Sequence, residues 1–572
     1  MRSIRKTIER ALIAFVAGCG VSVIAAMPLG CRERLAAPIS AEHRSDSPPQ
    51  RGGVLRLASS QDIRNLDPAG PTDELAVQAE QLIFAGLVDL DDHAHVFPDL
   101  ADHFAIEDGG RTYRFVLRQG VRMQDGQELT ADDVKRSAER ALYPTTPDPN
   151  ASYFSGLVGY SAFVSKKTPH LDGVTVGGRY VVSFLLTEPD PTFLSILAMH
   201  TLRPVCRTAG DRYVDTWLPC GAGPFRLMPG DWERGTSLRL VRNDAYFRKG
   251  LPYLDAVTWS FNMQPLPQRF RFEAGEIDFL REVTPSDHAL FAADPRWRPF
   301  TSTEADTNVF GESMNTRMPP FDNVEVRRAV AAAIDREHYR LISPGTMTVL
   351  TQLTPPAMPG YDPTAPSQTY DYAAALEHMR LAGLPYDPVT GKGGWPKTIE
   401  YPIYDHGLLV FTAQILQQEL AKIGLRIEIE VMTWPALMAL QERPGGAAIS
   451  EGGWAMDYPD KSSFYEPLFT TGSIGPESSY NTSFFSNTRF DDLVARAHRE
   501  FNPDRRASLY READTILRDE APWAFTSSSH RFDVRNAYVR GPLLHPVWKV
   551  DASRVWLDRA AGALARVLGS LP

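Results

Sequence analysis

Residues 450–461 read SEGGWAMDYPDK, with one carboxylate, Asp457, between Trp454 and Tyr458 just after a glycine pair. A carboxylate can take a primary ammonium through charge-assisted hydrogen bonds. The same composition also suits a surface turn, and from these twelve residues alone both readings stay open. Other chemistry-bearing patterns are sparse. VTGKGG (389–394) holds a Gly-Lys pair but has neither the following Ser/Thr nor the spaced glycine of a phosphate loop. No H-E-x-x-H and no G-x-S-x-G occurs. DDHAH (91–95) could bind a metal through His93 and His95, but it reads better as a polar hairpin turn. The sequence therefore predicts no catalytic residue, no metal and no cofactor.

The four cysteines fall into two pairs. Cys206 and Cys220 enclose CRTAGDRYVDTWLPC; a disulfide here would contribute on the order of 3 kcal/mol in the chain-entropy model. Two inert buried thiols are the alternative, and zinc is disfavoured because no histidine lies between them. Cys19 and Cys31 belong to a segment of another kind. MRSIRKTIER is basic, and ALIAFVAGCGVSVIAAMPLGC is apolar and rich in small residues, the pattern of an export signal over residues 1–31. A retained membrane-spanning helix is the other reading. VAGC at Cys19 better fits the site at which bacterial lipoproteins are cut and acylated. Cys31 sits where the apolar run stops, and the expectation leans to it. Polar, proline-bearing residues 32–51 then form a tether.

With 572 residues, 43% of them hydrophobic, the chain can bury more than one core. A net charge of −10 argues against nucleic acid as a partner. The 10 tryptophans and 20 tyrosines suit a ligand cleft in an exported protein, and equally fill cores.

The elements that must position these residues mix helices and strands without a fixed repeat, predicting an α/β chain of several lobes. GGVLRLAS (52–59) alternates as a strand, and 73–87 has helical spacing. Thr130 and Asp133 stand in capping-box positions before a helix. DGVTVGGRYVVSFLL predicts a hairpin turning at Gly177-Gly178. VEVRRAVAAAIDRE (324–337) reads as one amphipathic helix. Leu409, Ala413, Leu416, Leu420 and Ile423 make a helical stripe stopped by Gly424, and a strand alternates from Leu425 to Val431.

Several ordered blocks carry a resemblance. GGVLRLASSQDIRNLDP, the stretch from LIFAGLVDLDD to TADDVKRS, GAGPFRLMPGDWERGTSLRLVRNDAYFRKGLPYLDAVTW (221–259), PPFDNVEVRRAVAAAIDRE (319–337), GGWAMDYPD, YNTSFFSNTRFDDLVARA and RRASLYREADTILRDEAPW resemble, in order, the family 5 extracellular solute-binding proteins. These are the peptide-, dipeptide- and nickel-binding components of ABC importers, and the likeness covers nearly all of 52–540.

The resemblance implies a two-lobe periplasmic-binding-protein-like clamp with an extra domain on the first lobe. It places lobe I at 52–88, 198–305 and 536–572, the extra domain at 89–197, and lobe II at 306–535, with hinge crossings near 305 and 535. It implies a monomeric, periplasmic, lipid-anchored binding protein. Such a protein does no covalent chemistry and hands peptides to a permease with its ATPase. Nickel complexes, sugars, or a sensing role without transport remain alternatives. In peptide-binding members the aspartate at the position of Asp457 pairs with the ligand's α-amino group. Gly453 would admit the ligand backbone, and Trp434 resembles a cleft tryptophan. Trp454 and Tyr458 flank the anchor, and Phe310 and Tyr153 are further candidates for the cleft wall. Some oligopeptide binders carry an arginine near the position of Glu451. An extended backbone places Glu451, Gly453, Ala455 and Asp457 on one face, and two carboxylates there would favour a cationic ligand. The alternative is that Glu451 pairs with a protein arginine or points to solvent.

Overall fold

The computed structural model describes residues 48–558 apart from 71–72, 148, 215–216, 405–406 and 476–478. The export signal, Cys19 and Cys31, and most of the tether lie outside the described residues. Among the described residues no helix is long and apolar enough to cross a membrane.

The first strand, Val54–Ala58, alternates in burial as its sequence alternates, sending Leu55 and Leu57 inward. It pairs in parallel with Ala256–Ser260, which continues antiparallel to Ser237–Arg242 and then Phe225–Glu233. Helix Glu74–Ile83 covers this sheet. Asp73 caps it by accepting from the Ala76 N–H at 2.8 Å, and Ala76, Ala79, Leu82 and Ile83 face the core. Val539, Leu543, Val550 and Val555, from the end of the described chain, complete the same core. Each large apolar side chain buried there contributes about 1.5–3 kcal/mol.

A second sheet runs in the order Ala101–Glu107, Thr112–Leu117, Val181–Leu185, Val174–Gly178, all antiparallel. The hairpin strands run through both glycines, so the turn falls at Arg179-Tyr180, two residues later than the glycines suggest. Helix Ala131–Ala141 packs on this sheet and opens with the expected capping box: the Thr130 side chain takes the Asp133 N–H, and Asp133 accepts from the Thr130 N–H at 3.0 Å. Arg140, on its inner face, is 1% exposed and paired with Asp67 at 2.5 and 2.8 Å.

The third body is built on Asn308–Met314, which lies between Ile449–Ala455 and the first half of the long strand Trp523–Arg535. The far half of that strand pairs with Thr301–Ala305 and Phe279–Leu280. The chain thus passes between bodies along two adjacent antiparallel segments, 301–314 and 523–535. A parallel pair, Thr398–Tyr404 with Arg426–Met432, is joined by helix Gly407–Ala421, as parallel strands require a crossover. Gly424, at φ +81°, stops the chain after that helix. The segment 324–337 is two helices. Val324–Ala333 ends because Ile334 turns extended, and Asp335 caps Arg336–Ile342 by accepting the Glu337 N–H at 3.1 Å. The apolar stripe continues across the break, which is why the spacing alone reads as one helix.

Candidate functional site

The glycine pair lies in strand Ile449–Ala455, in register with Asn308–Met314: Ile449 opposite Met314, Glu451 opposite Glu312, Gly453 opposite Phe310. Alternation divides the strand into two faces. Gly452 and Trp454 point to the core side. A Cβ on Gly452 would lie 2.4 Å from the Trp523 ring, so this position has no room for a side chain. The Trp454 indole N–H donates to the Ser463 carbonyl at 2.8 Å, and its ring meets Tyr480 edge-on at 5.4 Å. Gly453 and Ala455 are exposed on the other face, with half-buried Phe310 beside Gly453. Trp434 begins helix Trp434–Gln441, is 53% exposed, and stands edge-on to Tyr404 at 4.9 Å. Gln441, at the other end of that helix, donates to the Glu451 carbonyl at 2.9 Å and ties the helix to the strand.

The strand stops at Ala455 and the chain bends through 457–460. Pro459 lacks an N–H for a ladder. Asp460 holds the bend by accepting from the Ser462 N–H at 2.8 Å and from Arg506 at 2.7 Å. Asp457 consequently leaves the face that carries Glu451. Its N–H donates to Ser463 Oγ at 3.1 Å, and its carboxylate accepts the Tyr153 hydroxyl at 2.6 Å. Tyr153 belongs to the short turn Pro149–Phe154 beside the second sheet, so this hydrogen bond spans two bodies of the molecule. Burial pushes Asp457 up to about 6, and the Tyr153 hydrogen bond limits the rise. Burial and the Asp457 charge push the Tyr153 phenol above its ordinary value. Tyr458 lies beneath: it is 1% exposed, its hydroxyl meets Ser462 Oγ at 2.8 Å, and its ring stands edge-on to Tyr153 at 5.5 Å. It packs under the contact and also lines the cavity beside it.

Glu451 has neither of the partners that the residue spacing suggests. Its neighbour in charge is Glu312, across the ladder, because the bend removes Asp457 from its face. Among the described residues no arginine pairs with Glu451. Glu312 accepts the Tyr401 hydroxyl at 2.6 Å. Burial pushes Glu312 up to about 7; burial and the Glu312 charge push Glu451 up to about 8.

A cavity of about 550 Å³ lies next to the Tyr153 contact, lined by Tyr153, Glu188, Asp190, Glu466, His498 and Arg499 among others. His498 Nδ1 meets Glu466 at 2.8 Å and its Nε2 is 3.6 Å from Asp190. Arg499 pairs with Glu188 at 2.5 Å. Glu188 and Asp190 come from the second body, whereas His498 and Arg499 lie on helix Thr488–Arg499 of the third. Sequence reasoning passed over Glu312, Asp190 and His498. Only Glu312 left a signal: a carboxylate at a strand position whose neighbour Met314 reads as core.

Cys206 and Cys220 form a disulfide with Cα atoms 5.4 Å apart. Asp125 lies near those sulfurs, which as a disulfide are not metal ligands. His93 and His95 sit in the turn between Val88–Leu90 and Val96–Pro98, where Asp91 accepts both of their backbone N–H groups at 2.9 and 2.8 Å.

Residues 95–476 match the model for bacterial extracellular solute-binding proteins, family 5. A glutathione-binding protein, GsiB, of Salmonella typhi is 28% identical over 474 residues, covering 82% of this chain and 87% of that protein. Among solved structures, a clavulanic acid biosynthesis oligopeptide binding protein is similar at a TM-score of 0.79 and 25% identity, covering 89% of this chain and 96% of the other. The oligopeptide-binding protein AppA of Bacillus subtilis, in complex with a nonapeptide, gives 0.71 at 22% identity, covering 89% and 100%.

Proposed function

We propose, from the premise that this chain belongs to the bacterial extracellular solute-binding proteins of family 5, that it captures peptides or similar amine-bearing solutes between two lobes and delivers them to an ABC permease. The observation that carries the reading is the Asp457 carboxylate, held at a contact between two bodies by Tyr153, just beyond the strand that carries the exposed Gly453. A ligand ammonium there would form charge-assisted hydrogen bonds to Asp457. Its extended backbone could pair with the outer edge of the strand at Gly453–Ala455 as an added strand. Trp434 and Phe310 supply apolar wall, and Trp454 and Tyr458 support the anchor from behind.

In this reading lobe I comprises 52–88, 198–305 and 536–572, the extra domain 89–197 and lobe II 306–535, with the two crossings as hinge. Closure follows from the ligand touching both lobes, which shifts the population toward the closed state. No bond is made or broken. The N-terminal segment would export the chain and, through Cys31 or Cys19, hold it as a monomer at the outer face of the membrane, where permease and ATPase subunits are its partners. Native mass spectrometry of the protein purified from its own export pathway tests the ligand class. Peptide masses are expected; a bound sugar or nickel complex would overturn the peptide assignment.

A further inference from the structure

We propose that Glu451, backed by Glu312 and Tyr339, forms a second subsite on the same strand that takes a cationic side-chain group of the ligand, an ammonium or a guanidinium. The proposal rests on the solute-binding reading above and adds a charge class to it.

The pair sits on the face shared by Gly453 and Ala455. Glu451 is partly exposed, and Glu312 opposite it is 3% exposed. Tyr401 satisfies one Glu312 oxygen. Among the described residues no hydrogen-bond donor and no positive charge meets the Glu451 carboxylate, and the one charge that shifts it is the like charge of Glu312. Two adjacent carboxylates cannot both ionise at modest cost unless a cation joins them.

Tyr339 is the independent observation. It is 2% exposed, and its hydroxyl has no hydrogen-bond partner among the described residues. Burial raises its phenol, and the Glu312 and Glu451 charges raise it further, so the unsatisfied oxygen lies within the field of the pair. A buried hydroxyl without a partner is costly, and an incoming N–H donor would relieve it. Tyr404, which also senses Glu451, and exposed Trp434 edge-on to it give the entrance aromatic rings of the kind that attract cations. The groups that face the carboxylate pair are therefore Tyr401 and Tyr404 of Thr398–Tyr404 and Tyr339 of Arg336–Ile342; Tyr339 in turn senses Arg336 and Glu419.

Glu451 and Asp457 are separated by the end of a strand and a bend, roughly 13–20 Å at the rise of extended chain. A peptide whose α-ammonium sits on Asp457 would meet Glu451 with a side chain several residues along. The test is calorimetry with alanine hexapeptides bearing one lysine, or the neutral norleucine, at each position from two to six. At least a tenfold preference for lysine over norleucine is expected at one or two adjacent positions, falling toward unity in Glu451→Gln. A second readout is proton release. Because Glu312 and Glu451 hold protons up to about 7 and 8, binding of the favoured lysine peptide at pH 7 should release close to one proton, seen by comparing buffers of different ionisation enthalpy. A uniform lysine preference at every position, or none, would overturn the subsite while leaving peptide binding intact. Should no hexapeptide bind, the peptide reading fails and 1,5-diaminopentane becomes the probe. Binding that Glu451→Gln abolishes would uphold the cation subsite, and no binding would reject it.

Discussion

Asp457 receives its one side-chain hydrogen bond among the described residues from Tyr153, and its carboxyl is raised to about 6. Protonation therefore competes with an amine ligand. Affinity for an amine-bearing peptide should be greatest near pH 7 and decline as pH falls through 6, since only the carboxylate attracts the ammonium. Titration calorimetry across pH 5–8 checks this; a flat profile would show that Asp457 does not bind the amine. Tyr153→Phe removes the bond that lowers the Asp457 pKa, so the decline should begin at higher pH in that variant. At Gly452 the constraint is steric. Gly452→Ala places a Cβ against the Trp523 ring and should cost about 1–3 kcal/mol, read by urea unfolding. Unchanged stability would mean that the ring moves freely.

At the scale of elements, the loop closed by Cys206 and Cys220 spans a sequence separation of 14. Replacing both cysteines with alanine should cost on the order of 3 kcal/mol, measured by chemical denaturation of the oxidised parent against the variant. This loop, the Thr130 capping box and the Gly424 stop were legible in the sequence because each is set by residues close along the chain. The break at Ile334 was not, because the apolar face of Val324–Ala333 continues past it and the stop comes from Asp335 capping the next helix. Nor was the divergence of Glu451 from Asp457. Period-two alternation holds only while the strand lasts, and the bend is held by Arg506 from the distant helix Pro503–Glu520. The Glu312–Glu451 pair depends on the register of two strands far apart in sequence, and no local pattern encodes it.

Across the whole molecule, the second and third bodies meet through Tyr153–Asp457, Arg499–Glu188 and the approach of His498 to Asp190. Burial lowers the His498 pKa, but the Glu466 hydrogen bond and the Glu466 and Asp190 charges outweigh it and raise the group to about 9. Its contribution is thus complete below its ordinary value of 6.5 and is lost as pH rises through about 9. Thermal unfolding should show a fall in stability over that window that is smaller in His498→Gln. The comparison with the variant matters because Glu312 and Glu451 also hold protons near 7 and 8 and act in the same direction. Parallel profiles would place His498 outside the contact's energetics.

Anchoring of the ligand's amino group by Asp457, at a contact between lobes, is tested by chemical removal of that amine. Calorimetry should compare one peptide with its amino terminus free and acetylated, in the parent and in Asp457→Asn. Loss of a buried charged partner costs about 2–5 kcal/mol. Acetylation should therefore weaken binding to the parent by roughly 30-fold or more and make little difference to the variant. Equal affinities for the two peptides in the parent would contradict the account.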